Sequence, residues 1–372
     1  MTTISFSRSP THDPRSPTPD LRLHILFDRI GEWGVVTLNR PEALNALTWD
    51  MATAMRAQLV NWERDNEIKA VLVRGAGEKA FCAGGDIRWL HDAAREDAAH
   101  ACGFFHEEYR LNAAIHHYPK PYVALIDGVV MGGGVGLSVH GDFRVAGDRT
   151  LFAMPETGIG LFPDVGGGYF LPRLHDGLGF YYGLTGARAR AADAMAAGIA
   201  THYVSSDKSA GLQEALFSLS FGGHAHADVE ATLDEFSGDP GPAAINNMRS
   251  TLQRLFEGRG SMEDLMAALA ADGGDLATDI MRTLERMSPT SLKLTFRQLQ
   301  SGARLDFDDA MRMEYRMVQR VMCGHDFFEG VRAVIIDKDK APKWSPERLA
   351  DVTDADIDRY FEREGALELD LS

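Results

Sequence analysis

Cysteine is scarce in this chain: there are three in 372 residues, Cys82, Cys102 and Cys323, and no two of them form a CxxC pair. Such scatter offers no zinc framework and suits a reducing compartment better than a disulfide scaffold, so a cytoplasmic location is expected. Positive charge is also in the minority. Lys and Arg number 38 against 54 Asp and Glu, a formal net charge of −16. A broad nucleic-acid surface needs clustered cations to neutralise phosphates, so no nucleic-acid partner is expected; a small basic pocket for one anionic ligand remains compatible. Long apolar runs are missing too. The longest uncharged apolar stretch, Gly128 to Val139, is far short of the roughly 18–20 residues that cross a bilayer, and no membrane span is expected. Residues 1–20 are rich in Ser, Thr and Pro, carry Asp13 and Asp20, and lack an apolar signal core. They read as a disordered leader, more acidic than a mitochondrial presequence.

Three catalytic signatures are absent as well. No GxSxG marks a serine nucleophile and no HExxH marks a zinc helix. Gly132-Gly133-Gly134 continues to Leu137, which breaks the GxGxxG dinucleotide pattern. His91, His100, His106, His116 and His117 make no closed ligand set with Cys or Asp, so no metal is expected.

What is present is an alternation of short strands, glycine loops and helices. Leu21 to Phe27 and Val35 to Leu38 read as a hairpin, Thr48 as the cap of a helix to about Asp65, and Ala70 to Val73 as a buried strand. Phe81 to Asp86 reads as a loop, Phe104 to Tyr118 as a helix, Tyr122 to Ile126 as a strand, Asp127 to Gly134 as a glycine loop, and Phe143 to Ala146 as a strand. Past about Tyr203 only helical spacing remains. These repeated strand, strand and helix units predict an α/β coil of similar turns with a helical C-terminal region.

The densest chemistry lies between Phe152 and Arg173. Glu156 and Asp164 each follow a proline, and five glycines, at 158, 160, 166, 167 and 168, crowd the interval. Proline and glycine at this density exclude a long helix, while the flanking residues are too apolar for a solvated loop. Two acids in a dry pocket can divide proton-transfer work; alternatively either acid caps a turn or pairs with Arg173. Glu108 falls inside the apolar stripe of its helix, so it must be paired, protonated or facing a cavity. Ala83-Gly84-Gly85 and Gly132-Gly133-Gly134 could present main-chain N–H groups to a developing oxyanion, or could simply be tight turns.

Leu38-Asn39-Arg40-Pro41 with Leu44-Asn45-Ala46-Leu47, then Phe81 through Ile87, then Gly128 through Gly134, resemble the crotonase, or enoyl-CoA hydratase/isomerase, superfamily. Met154-Pro155-Glu156-Thr157, Gly160 through Phe170, Glu107-Glu108-Tyr109, Ser288 through Lys293 and His325 through Ala333 are similar to its hydrolases of short branched 3-hydroxyacyl-CoA thioesters. The likeness spans about Leu21 to Glu362.

That resemblance implies a crotonase-like spiral of repeated β-β-α turns over 21–205 and a helical region over 206–372. It implies an acyl-CoA substrate and no cofactor, coenzyme A being part of the substrate. Ala83 and Gly133 would form the oxyanion hole, Glu156 and Asp164 would be catalytic, and Glu108, Gly84, Gly85 and Asp86 would contact substrate. Hydratases of the superfamily carry a glutamate where Gly136 stands and a glycine where Asp164 stands, which favours thioester hydrolysis here. An enoyl-CoA hydratase or isomerase and a non-catalytic acyl-CoA-binding subunit are the alternatives. Arg40, Arg88, Lys293, Arg297 and Lys338 are candidate cations for the CoA tail. Homo-oligomers are common in the superfamily, and the helical region covering the site within one chain is the other arrangement considered.

Overall fold

Runs such as Val71-Leu72-Val73 are hydrophobic at every position, which suits strands covered on both faces. In the computed structural model, which describes residues 24–363 and 365–371, these runs form one sheet. The expected leader at 1–20 lies outside the described residues. Strands β1 (Ile25–Ile30) and β2 (Trp33–Leu38) form the expected hairpin, with Ile30 opposite Trp33. The others are β3 (Ala70–Gly75), β4 (Ala80–Cys82), β5 (Tyr122–Leu125), β6 (Val129–Met131), β7 (Phe143–Ala146), β8 (Leu151–Ala153), β9 (Ala189–Arg190) and β10 (His202–Tyr203). The first sheet has the order β1-β2-β3-β5-β7-β10, parallel from β2 onward.

Two expected loops contain strands. Ala80–Cys82 and Val129–Met131 join β8 and β9 in a second sheet of order β4-β6-β8-β9. At three residues each, these strands are too short for an alternation to show beneath the glycine signal. Each turn of the coil thus leaves one strand in each sheet.

Helix α1 (Trp49–Arg64) starts where Thr48 accepts a hydrogen bond from Met51 N, as its sequence predicts. Helix α2 (Ile87–Glu96) was not foreseen. Helix α3 (Ala98–His116) begins ahead of the expected Phe104 because Asp97 caps it through Ala99 N at 2.9 Å. Short helices α4 (Gly133–Gly136) and α5 (Gly167–Phe170) follow β6 and β8.

Alternate residues of the first sheet face opposite ways. Trp33, Val35, Leu72, Val123 and Val145 pack under Leu212, Leu216, Val229 and Leu233 of two later helices, Ser209–Phe217 and Ala225–Phe236. Val36, Val71, Val73 and Ala124 face the main core with α1 and α3. The later helices Pro289–Gly302 and Phe307–Val321 send Leu292, Leu299, Met311 and Val318 into that same core. No helix among the described residues is long and apolar enough to cross a membrane.

Candidate active site

One face of α3 is apolar enough to be buried throughout, and Glu108 sits in it with Phe104, Phe105 and Leu111. Its neighbour Glu107 takes the nearby cations, Arg56 at 3.0 Å and Arg110 at 3.4 Å. Glu108 is 2% exposed and its Oε1 has no hydrogen-bond partner. The expected alternative of a salt bridge is therefore excluded among the described residues, and the side chain faces a cavity.

Proline and glycine shape the 152–173 segment as expected. Pro155 leads into a single tight turn, Glu156–Ile159, which Gly160 ends at φ +73. A side chain at Gly160 would lie 2.1 Å from the Asp326 carbonyl oxygen, so only glycine fits. Asp164 is followed by Val165 at φ 52 and Gly166 at φ 83. A β-branched residue in that region is strained, at a cost of roughly 1–3 kcal/mol. Arg173 pairs with neither acid; it lies 3.5 Å over the Tyr169 ring and donates to the carbonyls of Tyr169, Gly302 and Leu305.

These elements meet at a cavity of about 90 Å³. Its polar wall is Glu108, Glu156, Asp164 and the main chain at Ala83, Gly84, Gly85, Gly132 and Gly133; Ile87, Leu90, Phe104, Phe105, Ile159 and Leu161 make it apolar elsewhere. A larger groove of about 550 Å³ runs past Arg95, Cys323, His325 and Arg332, but none of the unpartnered buried acids lies there. The small cavity is the candidate site because Glu108 Oε1 and Glu156 Oε2 are both buried and unpaired in it, which a fold tolerates only where a ligand completes the bonding.

Charge crowding sets the acids' behaviour. Burial pushes Glu156 well above the ordinary glutamate range, and the Asp164 charge adds to it. Glu108 is raised likewise by burial, then by Asp164 and Glu156. Asp164 is pushed up to about 7 by burial, against the opposing hydrogen bond that the Tyr109 hydroxyl donates to its Oδ2 at 2.9 Å. Three acids in one dry space cannot all ionise freely.

The expected oxyanion donor at Ala83 is corrected by the structure. Ala83 N–H already donates to the Leu44 carbonyl at 3.0 Å. Gly84 then takes φ +112, and Gly85 N lies 3.3 Å from where a Cβ on Gly133 would stand. Among the described residues neither Gly85 N–H nor Gly133 N–H has an acceptor. Gly85 and Gly133 are therefore the convergent pair. Asp86, expected to touch substrate, is instead committed to capping α2 through Trp89 N and to Arg40 at 3.2 Å. Of the cations considered for a CoA tail, Lys293 bonds Glu263 and the Val352 carbonyl, Arg297 bonds Asp358, and Arg88 bonds the Ile335 carbonyl.

Gly136 supplies a second test. A side chain there would meet Asn112 Nδ2 at 2.6 Å and Val165 Cβ at 2.7 Å. The position is glycine and its surroundings are filled.

Sequence reasoning missed Glu314. It is fully buried on the Phe307–Val321 helix and accepts from Gly166 N at 2.8 Å and Gly168 N at 2.7 Å. Met311, Met317 and Val318 flank it at helical spacing, the same signal that marked Glu108.

Comparison with known proteins follows this geometry. The family model described as enoyl-CoA hydratase/isomerase matches residues 33–361. The chain is 51% identical to a mitochondrial 3-hydroxyisobutyryl-CoA hydrolase of Danio rerio, over 91% of this chain and 89% of that one. It is 45% identical to the Homo sapiens protein of the same name, over 98% and 96%. Among solved structures it is similar to a carnitinyl-CoA dehydratase from Mycobacterium thermoresistibile (TM-score 0.86, 40% identity, covering 94% of this chain and 98% of that one). An enoyl-CoA hydratase from Rhodobacter sphaeroides 2.4.1 is similar too (TM-score 0.82, 36% identity, covering 92% and 98%). The relatives' designation as mitochondrial overturns the cytoplasmic location expected from cysteine usage and the acidic leader. Scattered reduced cysteines mark a reducing compartment without saying which one. By sequence and fold, this chain belongs to the enoyl-CoA hydratase/isomerase family.

Proposed function

We propose that this chain hydrolyses a short branched 3-hydroxyacyl-CoA thioester, 3-hydroxyisobutyryl-CoA, to the free 3-hydroxy acid and coenzyme A. The observation that carries the reading is Glu156, a buried carboxylate with an unpaired oxygen in a cavity that also holds two free main-chain N–H groups. The names of relatives at about half identity support the substrate. On this reading the enzyme serves valine breakdown, and no cofactor takes part.

The thioester oxygen sits between Gly85 N–H and Gly133 N–H, which stabilise the charge that develops as the carbonyl carbon becomes tetrahedral. Glu156 must be ionised to act. Either it attacks the carbonyl, forming a mixed anhydride as the C–S bond breaks, or it takes a proton from water, whose oxygen forms the new bond. In both routes the CoA sulfur leaves as thiolate and receives a proton from Asp164, whose proton affinity near neutrality suits that transfer. Water then cleaves the anhydride in the first route. Glu108 accepts the 3-hydroxyl hydrogen bond, giving its unpaired oxygen a partner and penalising acyl groups without a hydroxyl. Water addition to a double bond is the poorer reading, because the packing around Gly136 leaves no room for a second acid there.

Thiol release from 3-hydroxyisobutyryl-CoA tests the reading. The intact chain should release thiol and Glu156→Ala should not; turnover of crotonyl-CoA without thiol release would overturn it, and no release by the intact chain would favour a binding subunit. Label in the Glu156 carboxylate after a single turnover in ¹⁸O-water would establish the anhydride route with water attacking the glutamyl carbonyl. Water attack at the acyl carbonyl labels the product as the general-base route does, so trapping of a glutamyl anhydride by hydroxylamine separates those two. Assembly into homo-oligomers is part of the proposal and is measured by sedimentation.

A further inference from the structure

The segment carrying Asp164 is held from behind by groups that do not line the cavity. Gln298 Nε2 donates to the Pro163 carbonyl at 2.7 Å, and His140 Nε2 lies 2.7 Å from the Val165 carbonyl. Glu314 places one oxygen on Gly166 N and the other on Gly168 N, and Gln298 Nε2 also donates to it at 3.1 Å. Its carboxylate therefore spans the backbone immediately after Val165, the residue forced to φ 52. The helix that bears Glu314 also brings Tyr315 against Tyr109, at 6.3 Å between ring centroids, and Tyr109 is the hydroxyl that donates to Asp164. The Glu314 helix thus reaches Asp164 twice, through the backbone at Gly166 and Gly168 and through Tyr315 against Tyr109.

From this geometry we infer that Glu314 is a positioning residue for the thioester hydrolysis: by bridging the Gly166 and Gly168 N–H groups it fixes the turn that presents Asp164 to the departing sulfur. The inference rests on the hydrolase reading above. A carboxylate is suited to the task because it offers two acceptors and no donor, so it can meet two converging N–H groups at once. The position demands this geometry, since a Cβ on Gly168 would stand 2.9 Å from Glu314 Oε1. The titratable groups facing Asp164 are Tyr109 and Glu108 from α3, Glu156 from its own segment, and Glu314 from behind. Burial, with the Asp164 charge behind it, pushes Glu314 up to about 8 against the hydrogen bonds it accepts from Gly166 N, Gly168 N and Gln298.

The test compares the intact enzyme with Glu314→Gln by thiol release from 3-hydroxyisobutyryl-CoA across pH. Glutamine keeps the shape, turns one acceptor into a donor facing an N–H, and removes the charge. The expected result is a fall in kcat of about 10- to 100-fold per folded molecule, with little change in KM. The pH limb assigned to Asp164 by its loss in Asp164→Asn should also move to higher pH, because a loosened turn weakens the Tyr109 hydrogen bond that holds Asp164 down. A purely structural role would lower the melting point and leave both kcat and the limb in place. That outcome in folded Glu314→Gln overturns the inference. If Glu314→Gln does not fold, Gln298→Met serves: it removes one donor to Glu314 and the bond to Pro163, and should lower kcat severalfold at unchanged KM. Unchanged kcat in Gln298→Met then overturns the inference. No thiol release by the intact enzyme would instead be a failure of the hydrolase reading.

Discussion

Glu107 and Glu108 are adjacent on α3, yet the two faces of that helix treat them in opposite ways. On the outer face Glu107 is ringed by His106, Arg56 and Arg110 and held down to about 2. On the cavity face Glu108 has no cation, an unpaired oxygen, and a proton affinity well above the ordinary range. Side-chain identity is the same; partner and burial decide everything. The outer face shows how this fold stabilises an acid, and the cavity face withholds that stabilisation from three acids at once, leaving the bonding to a ligand.

The largest effect that would sharpen this contrast comes from filling the cavity face. Gly133→Ala puts a methyl group 2.4 Å from Glu108 Oε1 and displaces a proposed oxyanion donor, so kcat should fall about 100- to 1000-fold; parental kcat in a folded variant would break the assignment. Next, Glu108→Ala should reduce the preference for 3-hydroxyisobutyryl-CoA over isobutyryl-CoA by about 10- to 100-fold in kcat/KM, because the partner of the 3-hydroxyl is removed. An unchanged preference would remove Glu108 from substrate recognition.

Asp164→Asn should slow turnover about 100-fold, leaving a measurable rate, yet stabilise the fold. The folded-state affinity of Asp164 is raised from 3.8 to about 7, so the folded state gains protons and the penalty of the buried charge is absent below about pH 4. It grows as pH rises to about 7 and is constant above. The gain from asparagine should follow that window and be bounded by about 4 kcal/mol at pH 8, seen as a higher urea midpoint. A midpoint that does not depend on pH in this window would break the account.

The smallest effect belongs to the outer face. Glu107→Gln should leave kcat unchanged and cost under about 1 kcal/mol. Its sign is opposite: with an affinity lowered from 4.5 to about 2, Glu107 stabilises the fold at neutral pH and loses that contribution as pH falls through this range.

Much of the site was legible because its acids break local rules. Glu108 interrupts an apolar stripe, and Glu156 and Asp164 sit in a segment too apolar for a solvent loop; all three line the cavity. The hairpin and α1 were legible because strand alternation and a threonine cap act over adjacent residues. The three-residue strands β4 and β6 were not, since their pairing is made between residues far apart in sequence. Which N–H is free in Phe81 to Asp86 depends on Leu44, whose carbonyl occupies Ala83 N–H; no local pattern carries that information. Asp86 answers to the start of α2 and to Arg40, partners that lie outside its own loop. Glu314 was overlooked although its helical spacing carried the same warning as that of Glu108.

The packing around Gly136 bears on how this site can change. Asn112 and Val165 both stand within 2.7 Å of the first atom any side chain would add there. Val165 directly follows Asp164, so making space for a second acid at 136 disturbs that aspartate's own turn. A route from this chemistry to water addition therefore has an enforced order of steps, in which the neighbours must shrink first and the new acid arrives only afterwards.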